Sequence, residues 1–276
     1  MYAQTNVQLF DQLQRNGYTH LELSCVLNAY KLAMRLFTGI YRPSGETFIT
    51  HQVGTASILS SLHVPAEVVA AGLTHAAYTH GDFGGCIKGI SAAKREHVRR
   101  AVGKEVEAYI ARYTALTWKP QSILTIRDSV SELDLVDRHV VVMRLADVLE
   151  KYQDREILYH GDLKRIGQYL DRYGPIMVEI ASQLSCATLA AELEKAFRQA
   201  VSTTSTIPAE LRCATGQRHS FLIAPQSYRE RLRIVLYREV VQRLRAVRAR
   251  IGVGARLRRM LPSSNVCVSR DGNPKS

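Results

Sequence analysis

The sequence predicts an all-α fold, and three observations carry that prediction. Apolar residues recur at three- and four-residue steps along most of the 276 residues, no segment alternates apolar and polar side chains as a half-buried strand does, and no Asn-Gly or Asp-Gly hairpin signal joins two strands. With 46% hydrophobic and 22% charged residues, the composition is that of an ordinary globular protein.

Each element follows from the same periodicity. A helix over 21–36 ends at Gly39 and the turn-forming run Arg42-Pro43-Ser44-Gly45. A second, over about 48–62, stops before Pro65, whose ring lacks a backbone donor. A third, over 66–78, gives way to the glycine-rich His80-Gly81-Asp82-Phe83-Gly84-Gly85. A long amphipathic segment covers 92–118, a further helix over 137–159 contains the apolar run 140–149, and one more helix spans 163–200. The Ser/Thr-rich stretch 202–207 and the weakly periodic 208–225 mark a boundary. Residues 1–200 are therefore expected to form the helical domain, 201–225 a connector, 226–262 a basic amphipathic helical segment and 263–276 a disordered tail.

Charge and cysteine usage narrow the function classes. The net charge of +12 is concentrated at one end: residues 226–276 hold 13 Lys+Arg against 3 Asp+Glu, a balance of +10 that leaves +2 for residues 1–225. A localised basic end argues for one polyanionic surface met by one segment and against a nucleic-acid binder charged throughout. Five scattered cysteines without a CxxC pair indicate neither a disulfide framework nor a thiolate zinc site, and a reducing cytoplasm suits them. No apolar stretch reaches the roughly 20 residues needed to span a bilayer, and the first residues are polar and amphipathic, unlike a secretory signal.

Three polar residues sit in apolar helical contexts that solvent alone does not explain: His51 early in one helix, His75 near the end of the next, and Asp147 late in the run 140–149. If buried, such groups must be paired or ligated. Two imidazoles and a carboxylate from three helices suit a divalent metal in a bundle core. Taken singly, each is also compatible with a hydrogen-bonded core residue.

The residues around these positions resemble a known family. Ala29-Tyr-Lys-Leu-Ala-Met-Arg-Leu-Phe-Thr38, the phrase R-x-SGE-x-x-I-x-H over 42–51, and Val53-Gly-Thr-Ala-Ser-Ile-Leu59 resemble the opening of HD-domain hydrolases of the RelA/SpoT type. The likeness continues through Val68-Val-Ala-Ala-Gly-Leu-Thr-His75 and the Gly-x-x-Val turn at Gly103, and ends at Arg144-Leu145-Ala146-Asp147. It implies an HD-domain-like helical bundle in which His51, His75 and Asp147 hold manganese, or iron, and Arg42 and Ser44 line the nucleotide pocket. Arg144 is a further candidate substrate contact. The implied chemistry is metal-assisted phosphoester hydrolysis of a nucleotide or other phosphorylated small molecule.

The departures from that pattern are as informative. Ala76 stands where the family has the aspartate of its His-Asp pair, and Thr79-His80 stand where it has a Glu-Asp pair that manages the attacking water. His80 and Asp82 are the candidate replacements for ligand or proton transfer. His80 lies five residues, about 140° of ideal helix, beyond His75, so it can contribute only if the helix breaks or tightens between them. No synthetase domain is recognisable after residue 183.

In the basic segment, Tyr228, Leu232, Val235, Leu236, Val240, Leu244, Val247 and Ile251 form an apolar stripe among arginines. It either packs on the helical domain or binds an anionic membrane surface through residues 228–261, where each basic residue contributes roughly 1 kcal/mol. Nucleic acid fits less well, because no aromatics are interleaved for base stacking. The sequence thus leaves two functions: a cytoplasmic metal-dependent phosphohydrolase, peripheral to the inner membrane surface if the basic helix docks there, or a silent HD-like module that binds a ligand or partner.

Overall fold

The computed structural model describes residues 2–42, 46–84, 88–153 and 163–202, with the single positions 237, 240, 241, 243 and 244. Among them the chain runs through α1 (Asn6–Arg15), α2 (His20–Phe37), α3 (Phe48–Ser61), α4 (Ala66–Thr74), α5 (Ala77–His80), α6 (Ala92–Val102), α7 (Lys104–Ala115), α8 (Pro120–Ser129), a 3-10 turn (Val130–Glu132), α9 (Leu135–Gln153), α10 (Leu163–Gln183) and α11 (Ala187–Ser202). The expected all-α class holds, and one isolated bridge between Tyr41 and Thr47 closes the loop before α3.

Local chemistry sets the helix starts. Thr5 and Thr19 each accept the third helical N–H, while Gln8 and Glu22 reach back to the cap backbone, giving two capping boxes. Thr47 caps α3, and the Asp134 carboxylate accepts the Asp137 N–H at 2.7 Å to open α9.

Three expected helices are each divided. The segment 92–118 splits at Gly103, whose φ of 89° suits a residue without Cβ. Segment 163–200 splits at Ser185, which adopts φ 61° while its own N–H and that of Cys186 donate to the Ser182 and Ala181 carbonyls. Segment 66–78 breaks at His75–Ala76, directly beside one of the candidate ligands. Periodicity survives all three breaks, so apolar spacing alone does not reveal them.

The centre of the domain is α3 packed against α4 and α9, with α2 and α7 against α4, while α10 packs on α11 and α11 on α9. Nearly every side of α3 and α4 is buried, which places them in the core. Gly72 permits their close approach: a Cβ there would lie 2.4 Å from Leu59 Cδ1. Buried polar residues of α3 fasten α1 to it, since the Ser57 hydroxyl accepts from the Ala3 N–H at 2.8 Å and Asn16 donates to the Ser60 carbonyl at 2.9 Å.

The chain divides into two compact units, Met1–Arg231 and Leu232–Ser276. In the second, all five described positions are helical, and Tyr237, Val240 and Leu244 expose their side chains. The expected tail 263–276 and nearly all of the connector 201–225 lie outside the described residues. No described helix is long and apolar enough to cross a membrane.

Candidate metal centre

α3, α4 and α9 bring His51, His75 and Asp147 together in the core, each at most 4% exposed. One donor atom from each lies within 4.8 Å of the others. Asp147 Oδ1 is 3.2 Å from His51 Nε2 and 3.7 Å from His75 Nε2. His75 occupies the last position before the α4–α5 break, where its Nδ1–H donates to the Gly72 carbonyl at 2.7 Å. That bond leaves Nε2 as a lone pair facing the carboxylate. His51 has the same polarity: its Nδ1 is hydrogen-bonded to Glu150 Oε2, and Nε2 faces Asp147.

The two oxygens of Asp147 have different surroundings. Oδ2 accepts from the Tyr113 hydroxyl at 2.8 Å, Arg144 at 3.0 Å and Lys151 at 2.9 Å. Oδ1 accepts no hydrogen bond of good geometry, and the Lys151 ammonium forms an ion pair with it at 2.8 Å. Burial works against the Asp147 charge, yet Lys151 and the two histidines hold its carboxyl well below the usual range. Burial likewise pushes His75 down to about 3, so its imidazole is neutral. For His51, burial opposes the charge, but Glu150 and Asp147 beside it raise its pKa.

A buried carboxylate oxygen without a hydrogen bond, facing two imidazole Nε2 atoms whose Nδ1 positions are already bonded, fits a divalent cation. The hydrogen bond on the far nitrogen fixes tautomer and ring orientation, as metal-binding imidazoles require. Ala76, buried at the break after His75, brings no fourth carboxylate.

The remaining expected site residues lie around this cluster or outside the description. Arg42 is buried, with NH1 3.4 Å from Glu150 and 3.7 Å from Glu46, an arrangement held by the short loop in which the Arg42 N–H donates to the Glu46 carbonyl at 2.8 Å. Its guanidinium thus faces Glu150 in this conformation. Arg144 stacks 4.2 Å over the Tyr113 ring while bonding Asp147. His80 stands at the end of α5 with its ring 5.0 Å from that of Phe48, which also touches His51 at 5.9 Å, so the helix break brings it to the rim without placing it in the cluster. The Asp82 carboxylate accepts the Gly84 N–H at 2.9 Å, shaping the glycine-rich turn. Ser44 lies outside the described residues.

Glu150, Tyr113 and Gly54 escape the sequence reading. For Glu150 a signal exists: it follows Asp147 by three residues and shares its helix face. Gly54, one turn after His51, leaves room for Glu150, since a Cβ there would come within 2.9 Å of Glu150 Cγ.

The profile of a domain of unknown function, DUF6817, matches residues 36–117. This stretch, less than half the chain, includes His51 and His75 but not Asp147. A search of curated proteins gives no match. One similar solved structure is of a metazoan ortholog of SpoT that hydrolyzes ppGpp and plays a role in starvation responses, at 18% identity over 66% of this chain and 96% of its own, with a TM-score of 0.40. That likeness is too distant to place individual residues.

Proposed function

We propose that the chain is a metal-dependent phosphohydrolase of the HD type, acting on a nucleotide or another phosphorylated small molecule. The observation that carries this reading is the convergence in the core of Asp147 Oδ1 and the Nε2 atoms of His51 and His75, with one donor atom of each within 4.8 Å of the others. An imidazole and carboxylate set of this kind suits manganese or iron. A divalent cation held there would lower the pKa of water and neutralise phosphate charge.

The protein's own residues have separate tasks in this reading. His51, His75 and Asp147 bind the ion. Arg144 and Lys151 balance the Asp147 charge and, with Arg42, place three cations near the centre where a phosphorylated ligand would dock. His80, at the rim, and Asp82 are the candidates for proton transfer, and Ser44 is assigned with Arg42 and Arg144 to the substrate.

A second reading has a specific observation in its favour. The Lys151 ammonium lies within 2.9 Å of both Asp147 oxygens and is itself a cation in the cluster. A silent module would keep this ion pair in place of a metal and bind a ligand without turnover. Release of phosphate or pyrophosphate from a panel of phosphorylated nucleotides, with manganese or iron present, separates the two. Turnover that disappears in His51→Ala, with the helical circular dichroism retained, supports hydrolysis. Turnover that survives the substitution sinks the ligand assignment, and none in the wild type favours the silent module.

A further inference from the structure

We infer that Glu150 is a positioning residue for this centre: through His51 Nδ1 it fixes the imidazole with Nε2 turned to Asp147, and it thereby sets the affinity for the ion. The inference rests on the metal-centre reading above and adds a residue to it.

The geometry is specific. Glu150 is 3% exposed and lies one helical turn beyond Asp147 on α9, so one helix supplies both the carboxylate facing His51 Nε2 and the carboxylate bonded to its Nδ1. The bond at Nδ1 fixes the orientation of the ring and so keeps Nε2 turned to Asp147. Oε2 of Glu150 also lies 3.4 Å from Arg42, whereas Oε1 is buried without a hydrogen bond. A buried carboxylate that leaves one oxygen unpaired is expensive, and an apolar side chain would serve packing better. Glu150 stands opposite the Nε2 side of the ring, so it orients His51 and is not itself a ligand. A carboxylate on the far nitrogen also raises the basicity of the imidazole toward a metal, and loss of such partners typically weakens metal binding about 10- to 100-fold. Gly54 completes the arrangement, because any Cβ at that position would press on Glu150 Cγ.

The test uses two readouts on the full chain. Manganese affinity is measured by calorimetry for the wild type, Glu150→Gln, Glu150→Ala and Gly54→Ala, with circular dichroism to confirm the fold. In parallel, nitrogen NMR of labelled histidines reports the tautomer of His51 in metal-free protein at alkaline pH, where the ring is neutral. The expected result is an affinity loss of about 10- to 100-fold in Glu150→Ala, a smaller loss in Glu150→Gln, which keeps an acceptor oxygen, and a loss in Gly54→Ala in the same direction. His51 should carry its proton on Nδ1 in the wild type and lose that preference in Glu150→Ala. Unchanged tautomer together with unchanged affinity overturns the inference. A wild type that binds no manganese overturns the metal reading and the affinity claim with it, while the tautomer still decides whether Glu150 orients His51.

Discussion

At the scale of single residues, Asp147 organises the centre. Its Oδ2 takes three donors, from Tyr113, Arg144 and Lys151, while Oδ1 faces the two histidines and the same Lys151 ammonium. Tyr113→Phe deletes one of the three without changing shape. A buried hydrogen bond to a charged group contributes about 1.5–3 kcal/mol, and denaturant unfolding of the variant should show a loss of that size; an unchanged midpoint would contradict the assigned bond. His51, His75 and Asp147 stand out in the sequence because each interrupts an apolar helical pattern. Glu150 does not, since a glutamate near a helix end reads as solvated surface. Only the fold shows that Gly54 opens space for Glu150 and that Tyr113, from α7, reaches Asp147.

At the scale of elements, the site depends on how closely α3 approaches α4. His51 and His75 meet because Gly72 lets Leu59 fill the space a side chain would occupy. Gly72→Ala should therefore overpack the interface and destabilise the domain by about 1–3 kcal/mol; a variant as stable as the wild type would mean that the helices yield easily. Gly103→Ala addresses a different cause, since φ 89° strains any residue with a Cβ, and roughly 1–2 kcal/mol should be lost with no change in packing. Periodicity placed the apolar faces of these helices correctly but ran straight through the breaks at Gly103, Ser185 and His75. Two of those breaks fall at residues other than glycine, and the one at His75 decides where a candidate ligand points.

For the whole molecule, a second charge cluster, built on a buried glutamate, stabilises the domain away from the candidate metal centre. Glu107 is fully buried and accepts from Arg95 at 2.6 and 2.9 Å, Arg99 at 2.9 Å and the Tyr78 hydroxyl at 2.8 Å. Burial opposes its charge, but these donors hold its pKa below the ordinary value of 4.5. The folded chain therefore binds this proton less readily than the unfolded chain. The stability Glu107 contributes is complete above the unfolded value and is lost as the pH falls through the lower folded one. Glu107→Gln should cost about 1.5–3 kcal/mol at neutral pH, because the arginines it leaves behind are partly solvated, with the deficit shrinking below pH 4.5; a deficit independent of pH would contradict the ionised cluster. The central claim is the metal. Elemental mass spectrometry after manganese loading and gel filtration, on the wild type beside His75→Ala, tests it most directly. About one manganese or iron per chain in the wild type, absent from the variant, is the predicted result, and no metal in either protein would contradict it.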